Sequence, residues 1–365
     1  MPAPIETLTS WHDARIDMII DVRAPSEFAD DHIEGAINLP VLSDEERIHI
    51  GTLYKQQSPF VARRIGAALV SANIARHIQT HLADKPENWR PLIHCWRGGQ
   101  RSRAFAHICG EVGWASFLLQ GGYKTYRKSV LDSLQDLPKN LEICILSGPT
   151  GTGKTKILQA LSDHGATIID LEGLACHRGS LLGHMPDQDQ PPQRLFESRL
   201  YEAMRQAQRT TDTNPVSKQK IGHNFVFVEA ESSRIGNLSL PKDLWHAMSK
   251  APKIEIKADD ATRIALLKGD YAHLMDRGND KLSHLVEGMH TRHGYEVTQS
   301  WQKLLNNGDF DQFISAILHD HYDPAYHRAS QKHDRKSLGS VTLSGLDQPA
   351  LDRAVSDILH LLPSP

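Results

Sequence analysis

Short apolar runs alternate with longer helical patterns over the first third of the chain. The runs predict strands at residues 17–22, 92–94 and 116–119, and the pattern over 59–82 predicts a long helix. Strands that alternate with helices indicate a parallel sheet covered on both faces. The first part of the chain is therefore predicted to be an α/β domain.

A second α/β unit is predicted after residues 135–140, where Pro138 interrupts the pattern. It contains apolar strand-like runs at 141–146 and 225–228, with a helix at 156–161. Beyond about residue 261 helical segments dominate, at 261–267 and 299–305, and the polar, basic stretch 331–340 is predicted to be a solvated loop. We expect three regions: residues 1–135, residues 136–260, and a mainly helical C-terminal extension at 261–365.

A glycine-rich loop joins the first strand and helix of the second unit. It reads Gly148-Pro-Thr-Gly151-Thr-Gly153-Lys154-Thr155 and fits G-x-x-x-x-G-K-[ST] without a mismatch. Backbone N–H groups of such a Walker A loop point inward, and the helix N-terminus adds partial positive charge. The glycines and Lys154 are predicted to hold phosphate, while the Thr155 hydroxyl reaches Mg²⁺. The alternative is a chance turn, but strand and helix supply the context that the motif requires.

Two glutamates, Glu229 and Glu231, follow the apolar run 225–228. A metal-organising carboxylate of a Walker A fold would lie there. A buried strand with a solvated acidic end explains either glutamate equally well. Metal binding therefore stays open.

A second loop is built on a single cysteine and also lies between a strand and a helix. It reads Cys95-Trp-Arg97-Gly98-Gly99-Gln-Arg101-Ser. Backbone N–H groups, the helix N-terminus and the two guanidinium groups each stabilise thiolate over thiol, which makes Cys95 a candidate nucleophile. The glycines let the backbone turn its amides toward the sulfur. The other cysteines, Cys109, Cys144 and Cys176, have apolar neighbours typical of structural residues.

Composition adds few constraints. The 365 residues are 39% hydrophobic and 23% charged, with four irregularly spaced cysteines and 21 histidines. This pattern favours a reducing compartment over a disulfide framework. No leader pattern and no apolar stretch near the roughly 20 residues of a membrane span is found, so we expect a soluble, cytoplasmic protein. The net charge is −3, so nucleic acid would need a local basic surface.

Several segments of the chain resemble segments of known protein families. The first part resembles a rhodanese domain in Asp21-Val-Arg-Ala-Pro-Ser-Glu-Phe28, His32-Ile-Glu-Gly-Ala-Ile-Asn-Leu-Pro40, the Cys95 loop and Leu119-Gln-Gly-Gly-Tyr-Lys-Thr-Tyr126. A rhodanese domain followed by a P-loop NTPase-like α/β domain with a helical extension resembles the bacterial tRNA 2-selenouridine synthase family. Segments similar to that family's signatures are Asp170-Leu-Glu-Gly-Leu-Ala-Cys-His-Arg-Gly-Ser180, Val228-Glu-Ala-Glu-Ser-Ser-Arg-Ile-Gly236 and His321-Tyr-Asp-Pro-Ala-Tyr326. Cys176 stands where the family usually has a small or polar residue.

The resemblance implies a reaction on the wobble uridine of tRNA. In it 2-thiouridine becomes 2-selenouridine through an S-geranylated intermediate, with geranyl diphosphate and selenophosphate as substrates and no tightly bound cofactor. Lys154 would then stabilise the departing diphosphate, and Cys95 would carry selenium as a perselenide. This selenotransferase and geranyltransferase chemistry would not require nucleotide hydrolysis.

The resemblance also implies that an anticodon arm reaches both loops, so basic residues must be unevenly distributed. Arg178 and Arg234 lie in two of the signature segments, Asp170–Ser180 and Val228–Gly236. They are predicted to contact tRNA phosphates. A further set lies on a predicted helix: Arg194, Arg199, Arg205 and Arg209. Some of these arginines face different sides of that helix and would simply be solvated.

Two alternatives come from other classes of chemistry. His94-Cys95-x₅-Arg101-Ser102 also fits the cysteine phosphatase signature, although no Asp is placed as general acid and the Walker A loop would have no task. The other alternative is a P-loop kinase or NTP-driven regulator in which the rhodanese domain only binds a partner.

Overall fold

The computed structural model describes residues 2–179, 183, 185, 188–213, 224–275, 281–330 and 335–363. The chain divides into two compact units. Met1–Leu134 and Pro191–Glu202 form the first, and Gln135–Gln190 and Ala203–Pro365 form the second. Two predicted features fall partly outside the described residues: Ser180 at the end of one signature, and residues 331–334 of the predicted loop.

The first unit contains a parallel five-stranded sheet with strand order β1-β5-β4-β2-β3. Its strands are β1 Ile5–Leu8, β2 Met18–Asp21, β3 Ile37–Asn38, β4 Pro91–His94 and β5 Ser116–Leu119. The helices are α1 Pro25–Asp30, α2 Asp44–Gln56, α3 Pro59–His81, α4 Gln100–Val112 and α5 Tyr123–Asp136. The predicted strands and the long helix are confirmed, because each buries an apolar face that its periodicity indicated.

The segment Pro191–Glu202 completes the first unit although it follows the Walker A loop in the chain. Phe196 is fully buried, and Glu197 accepts an ion-paired hydrogen bond from Arg127. Tyr201 packs against Trp11 with ring centroids 6.5 Å apart. No sequence pattern indicated this grouping, because a long amphipathic helix does not show which sheet it covers.

The second unit contains another parallel five-stranded sheet, in the order β12-β11-β6-β8-β7. Its strands are β6 Ile143–Ser147, β7 Thr167–Ile169, β8 Val226–Glu229, β11 Lys253–Lys257 and β12 Ser337–Thr342, and the pair β9 Arg234–Ile235 and β10 Leu238–Ser239 is separate and antiparallel. Helix α8 Gln193–Thr213 begins in the first unit and ends in the second. The other helices of the second unit are α6 Lys154–Asp163, α7 Leu171–Ala175, α9 Lys242–Lys250, α10 Asp260–Asp270, α11 Lys281–Gly288, α12 His290–His293, α13 Tyr295–Asn307, α14 Phe310–Ile317, α15 Asp323–Ser330 and α16 Gln348–His360. Short helical turns of other types occupy Leu137–Asn140, Ala272–Leu274 and Leu318–Tyr322.

The prediction of a loop throughout residues 331–340 is wrong, because Ser337–Thr342 forms edge strand β12 beside β11. Only Val341 of this strand is buried, so its polar side chains hide the pattern that identifies strands. Backbone hydrogen bonds between β12 and β11 define β12 as a strand, whatever its side chains are. The C-terminal extension is thus helical in its middle but returns to the sheet, where Val341, Leu343 and Ile358 join the core.

Candidate functional site

The cysteine loop begins where β4 ends, at the carboxyl edge of the first sheet. Cys95 is 3% exposed. The Gly99 N–H donates a hydrogen bond to its sulfur at 3.2 Å, and the Ser102 hydroxyl lies 3.2 Å from the same atom. Both groups come from the start of α4, so the sulfur lies at a helix N-terminus, as predicted.

Backbone hydrogen bonds from the start of α5 also support the cysteine loop. The Tyr123 N–H donates to the Cys95 carbonyl at 2.9 Å, and the Lys124 N–H donates to Trp96 at 3.0 Å. At Gly122, which has φ +60°, a Cβ would lie 2.2 Å from the Cys95 carbonyl oxygen. Gly98, at φ +63°, faces the same turn. The Gly121-Gly122 pair is therefore a structural requirement of the cysteine loop.

The two loop arginines have different surroundings. Arg101 donates to the Glu27 carboxylate at 3.0 Å, and Arg47 pairs with the same oxygen at 3.1 Å. Arg97 is exposed and has no ion pair among the described residues. Of the two loop arginines, Arg97 is therefore the one without an ion pair to a described residue.

A buried polar network lies beneath the loop. The Arg23 guanidinium pairs with Asp21 at 2.6 Å, donates to the Asp31 carbonyl and stacks on the Tyr123 ring. His94 is fully buried beside this network, and both of its ring nitrogens are without hydrogen-bond partners among the described residues. Burial lowers the pKa of His94, so this ring is neutral at physiological pH. The sequence alone assigned no role to these buried residues, although Asp21 and Arg23 lie in a segment that resembles a rhodanese domain.

The Walker A loop lies between β6 and α6, as predicted. Gly148, Gly151 and Gly153 all have positive φ, at +152°, +81° and +81°. A Cβ on Gly148 would lie 2.4 Å from the Ile256 carbonyl oxygen, and one on Gly153 would lie 2.6 Å from the Leu343 side chain. These three glycines are therefore required both by backbone conformation and by close neighbours.

Lys154 folds back over its own loop. Its ammonium group donates to the carbonyls of Gly148 at 2.9 Å and Pro149 at 3.1 Å. Burial, with a contribution from Arg263, lowers the pKa of Lys154, while nearby glutamates oppose that change. The ammonium group thus has weak neutral partners, which a phosphate oxygen can replace.

Three carboxyl groups meet beside the Walker A loop. Glu172 accepts from the Thr155 hydroxyl at 3.2 Å, and its own N–H donates to Glu229 at 2.9 Å. Glu229 is fully buried, and its Oε2 has no partner among the described residues. The structure therefore brings both predicted glutamates into one cluster. Glu172 is the member that sequence reasoning missed.

These carboxyl groups are hard to ionise. Burial raises the pKa of Glu229 well above its usual value and raises that of Glu172. Burial, the negative charge of Glu172 and a hydrogen bond to it raise the pKa of Glu231 to about 8. The cluster therefore holds protons at neutral pH rather than a full set of negative charges.

We expect Glu231 to make the stability of the second unit fall as pH rises. Between its usual pKa of 4.5 and its folded value of about 8, the folded state retains a proton that the unfolded state has released, so higher pH favours unfolding. Glu231→Gln should reduce this dependence by up to about one proton. Urea unfolding at several pH values measures the slope, and an unchanged slope in the variant would contradict the assignment.

Arg263 on α10 fixes the Walker A loop from the other side. It is 6% exposed, donates to the Thr150 carbonyl at 3.0 Å, and forms two hydrogen bonds with Asp323 at 3.0 and 2.6 Å. Asp323 lies in the predicted signature His321–Tyr326. The signature thus acts on the phosphate loop through an arginine that sequence reasoning missed.

The predicted RNA-contacting arginines are placed unevenly. Arg178 donates to the Asp270 carbonyl and lies 5.3 Å from the Tyr271 ring centroid, so it serves packing within the second unit. Arg194 pairs with Asp30 at 2.7 Å. Arg199, Arg205 and Arg209 lie on α8 and also have interacting neighbours. Arg234 is exposed on β9, with no side-chain partner among the described residues.

Two features are absent from the described residues. No group of three or more His, Cys, Asp and Glu side chains there has an arrangement that could hold a metal ion. No helix in the same residues is long and apolar enough to cross a membrane.

Comparison with known families identifies the two domains that carry the cysteine loop and the Walker A loop. Residues 6–129 match the rhodanese-like domain. Residues 141–346, more than half of the chain, match the tRNA 2-selenouridine synthase AAA domain. The chain belongs to the tRNA 2-selenouridine synthase family. The resemblance inferred from the sequence segments is thereby confirmed, as is the fold class.

Relatives that carry the family's name span both units. The protein from Marinobacter nauticus is 34% identical over 337 residues, which cover 84% of this chain and 87% of that protein. A Shewanella sp. (strain ANA-3) protein is 31% identical over 366 residues, with coverage of 93% and 95%. One from Nitrosomonas europaea is 34% identical over 254 residues, with coverage of 69% and 63%.

Proposed function

We propose that this protein exchanges the sulfur of a wobble 2-thiouridine in tRNA for selenium, through an S-geranylated intermediate. The coarser activity follows from the family: the protein is an enzyme of tRNA modification that produces 2-selenouridine. One observation supports the finer chemistry. A single chain carries a cysteine held by backbone donors and a separate phosphate loop that has a lysine on neutral partners.

The Walker A loop serves the alkylation step in this proposal. The thiouridine sulfur forms a bond to C1 of geranyl diphosphate, the C1–oxygen bond breaks, and the N3 proton of the uridine is released. Negative charge develops on the departing diphosphate. Loop N–H groups and Lys154 are fixed in advance to stabilise that charge.

Alkylation prepares the sulfur to leave. A thiocarbonyl sulfur is a poor leaving group as sulfide, whereas geranyl thiolate is a good one. Selenium forms a bond to C2 of the base, the C2–sulfur bond breaks, and geranyl thiol is released after it gains a proton.

Cys95 presents the selenium as a perselenide, Sγ–SeH. Loading it from selenophosphate releases phosphate and requires a disulfide as two-electron oxidant. After transfer, one thiol cleaves the Sγ–Se bond and forms a mixed disulfide with Cys95. A second thiol then releases Cys95 and re-forms the disulfide, which returns the two electrons. In this proposal the Gly99 N–H, which donates to the Cys95 sulfur, and the exposed Arg97 stabilise the anionic selenium.

A magnesium ion would fit this scheme at the Walker A loop. The Thr155 hydroxyl, beside the Glu172 carboxylate, is the oxygen ligand that such loops use. The described residues form no three-ligand protein site, so diphosphate and water oxygens would supply the other ligands.

The phosphatase alternative is less consistent with these contacts, and the regulator alternative differs in its expected activity. A cysteine phosphatase needs its loop arginine on phosphoryl oxygens, whereas Arg101 pairs with Glu27. A kinase or NTP-driven regulator would turn over nucleotide without tRNA.

Mass spectrometry of wobble nucleosides tests the proposed function. Cells that lack the protein should contain 2-thiouridine and no 2-selenouridine. Purified protein with geranyl diphosphate, selenophosphate and a thiol–disulfide pair should form 2-selenouridine in tRNA from those cells. Restoration without geranyl diphosphate would refute the alkylated intermediate, and nucleotide turnover without tRNA would favour the regulator.

A further inference from the structure

One segment of the first unit has an unusual charge. Residues 47–83 contain five Lys and Arg residues and no Asp or Glu, in a chain whose net charge is −3. The structure folds most of this segment into α2 Asp44–Gln56 and α3 Pro59–His81, joined by only two residues. Such a short connection produces an antiparallel helical hairpin.

The outer half of this hairpin lies beyond the domain core. From α3, the core residues are Val70, Ile74 and Ile78. The first ten or so residues of α3, about 15 Å of helix, contact α2 instead. There Gly66 lies against the Ile50 side chain, 3.5 Å from the position of a Cβ. The outer part of the hairpin is therefore held by contacts between its own two helices.

The base of the hairpin lies at the cysteine loop. Arg47, in the first turns of α2, and Arg101, which follows the loop glycines, pair with the same oxygen of Glu27. Asp44 accepts a hydrogen bond from the Ser26 N–H at 3.2 Å. Helix α2 has 13 residues, which span about 20 Å. The tip thus lies about that far along α2 from its contacts with Ser26 and Glu27.

The tip presents aromatic rings and unpaired cations together. Tyr54 is 57% exposed and Phe60 65% exposed. Lys55, Arg63 and Arg64 are exposed beside them, and none forms an ion pair with the described residues. The acidic residues of α2 are confined to its opposite end, in the first turn.

We propose that the hairpin tip, Tyr54, Lys55, Phe60, Arg63 and Arg64, binds the anticodon arm of the tRNA substrate. The inference rests on the proposed function, which requires a base of that arm to reach Cys95. Cations contact phosphates, and exposed aromatic rings stack on unpaired bases. The arginines first predicted for this role are mostly engaged elsewhere, whereas the hairpin cations are available.

Filter binding to tRNA with a wobble 2-thiouridine, over a series of salt concentrations, tests the surface. The triple variant Lys55→Ala/Arg63→Ala/Arg64→Ala should raise Kd at least about tenfold and reduce the slope of log affinity against log salt by about two to three. Tyr54→Ala/Phe60→Ala should raise Kd with little change in slope. All these side chains are exposed, so melting temperatures should stay close to the wild-type value.

A matched control lies on the same helix. Arg76 is also exposed, but it is about 18 Å further along α3 than Arg64, at the core end. Arg64→Ala should lower the salt slope by about one, and Arg76→Ala should leave it unchanged.

Each contrary outcome has a distinct meaning. If wild-type protein modifies tRNA while the triple variant keeps its Kd and slope, the hairpin is not the RNA surface and the proposed function stands. If wild-type protein neither binds nor modifies tRNA, both proposals fail. If the triple variant loses sedimentation with phosphatidylglycerol vesicles but binds tRNA normally, the surface is for lipid and the inference is overturned.

Discussion

Replacing Lys154 by alanine should abolish geranyl transfer, with a loss of at least about 10²–10³-fold in rate. Lys154 is the cation of the Walker A loop, and its present partners are two neutral carbonyls. Without it, the negative charge that develops on diphosphate loses a fixed stabilising group. Selenation of unmodified 2-thiouridine should fail as well, and chromatography of digested tRNA measures both products.

Supplying tRNA that is already geranylated gives the decisive comparison. Rescue of selenation in Lys154→Ala would place the lysine in the alkylation step. Failure of rescue would mean that the loop serves selenophosphate or both steps. Lys156→Ala is the matched control, because Lys156 is an exposed lysine two residues along the same helix and should keep normal activity.

Replacing Cys95 by serine should abolish selenium incorporation while geranylation continues. Oxygen cannot carry selenium as a perselenide, whereas a serine should preserve the contacts from Gly99 and Ser102. Mass spectrometry should then find S-geranyl-2-thiouridine accumulating in the tRNA. Normal 2-selenouridine formation in this variant would disprove the carrier role.

The other cysteines provide controls of the same chemical type. Burial raises the pKa of both Cys109 and Cys144 to about 12, so neither supplies thiolate at neutral pH. Cys109→Ser, Cys144→Ala and Cys176→Ser should keep selenation, with only the stability losses expected of buried substitutions. Loss of selenation in a well-folded Cys109→Ser protein would undermine the assignment of Cys95.

The two loops could be predicted from the sequence because their requirements are local. A strand, a few glycines at positive φ and a helix N-terminus occupy fewer than twenty residues in each case. The strands that carry them are short and apolar, so their alternation with helices predicted the parallel sheets.

The supports of the loops could not be predicted, because they come from distant parts of the chain. Arg263 donates to the carbonyl of Thr150, which is 113 positions away in the sequence. It pairs with Asp323, which is 60 positions away. Strand β12 has one buried side chain and is defined by backbone pairing, which leaves little pattern to read. The hairpin cations were likewise overlooked, since exposure becomes visible only once the core is known.

The way the two units interrupt each other constrains how the protein is made. A growing polypeptide folds from its N-terminus as it emerges, yet the first unit lacks Pro191–Glu202 until synthesis has passed the Walker A loop. The second unit lacks Leu343, which packs on Gly153, until nearly the whole chain has been synthesised. The ribosome must therefore translate Gln135–Gln190 of the second unit before the first unit is complete. A transcript truncated near its 3′ end would yield a first unit that can fold and a second unit that lacks the residues packed against its Walker A loop.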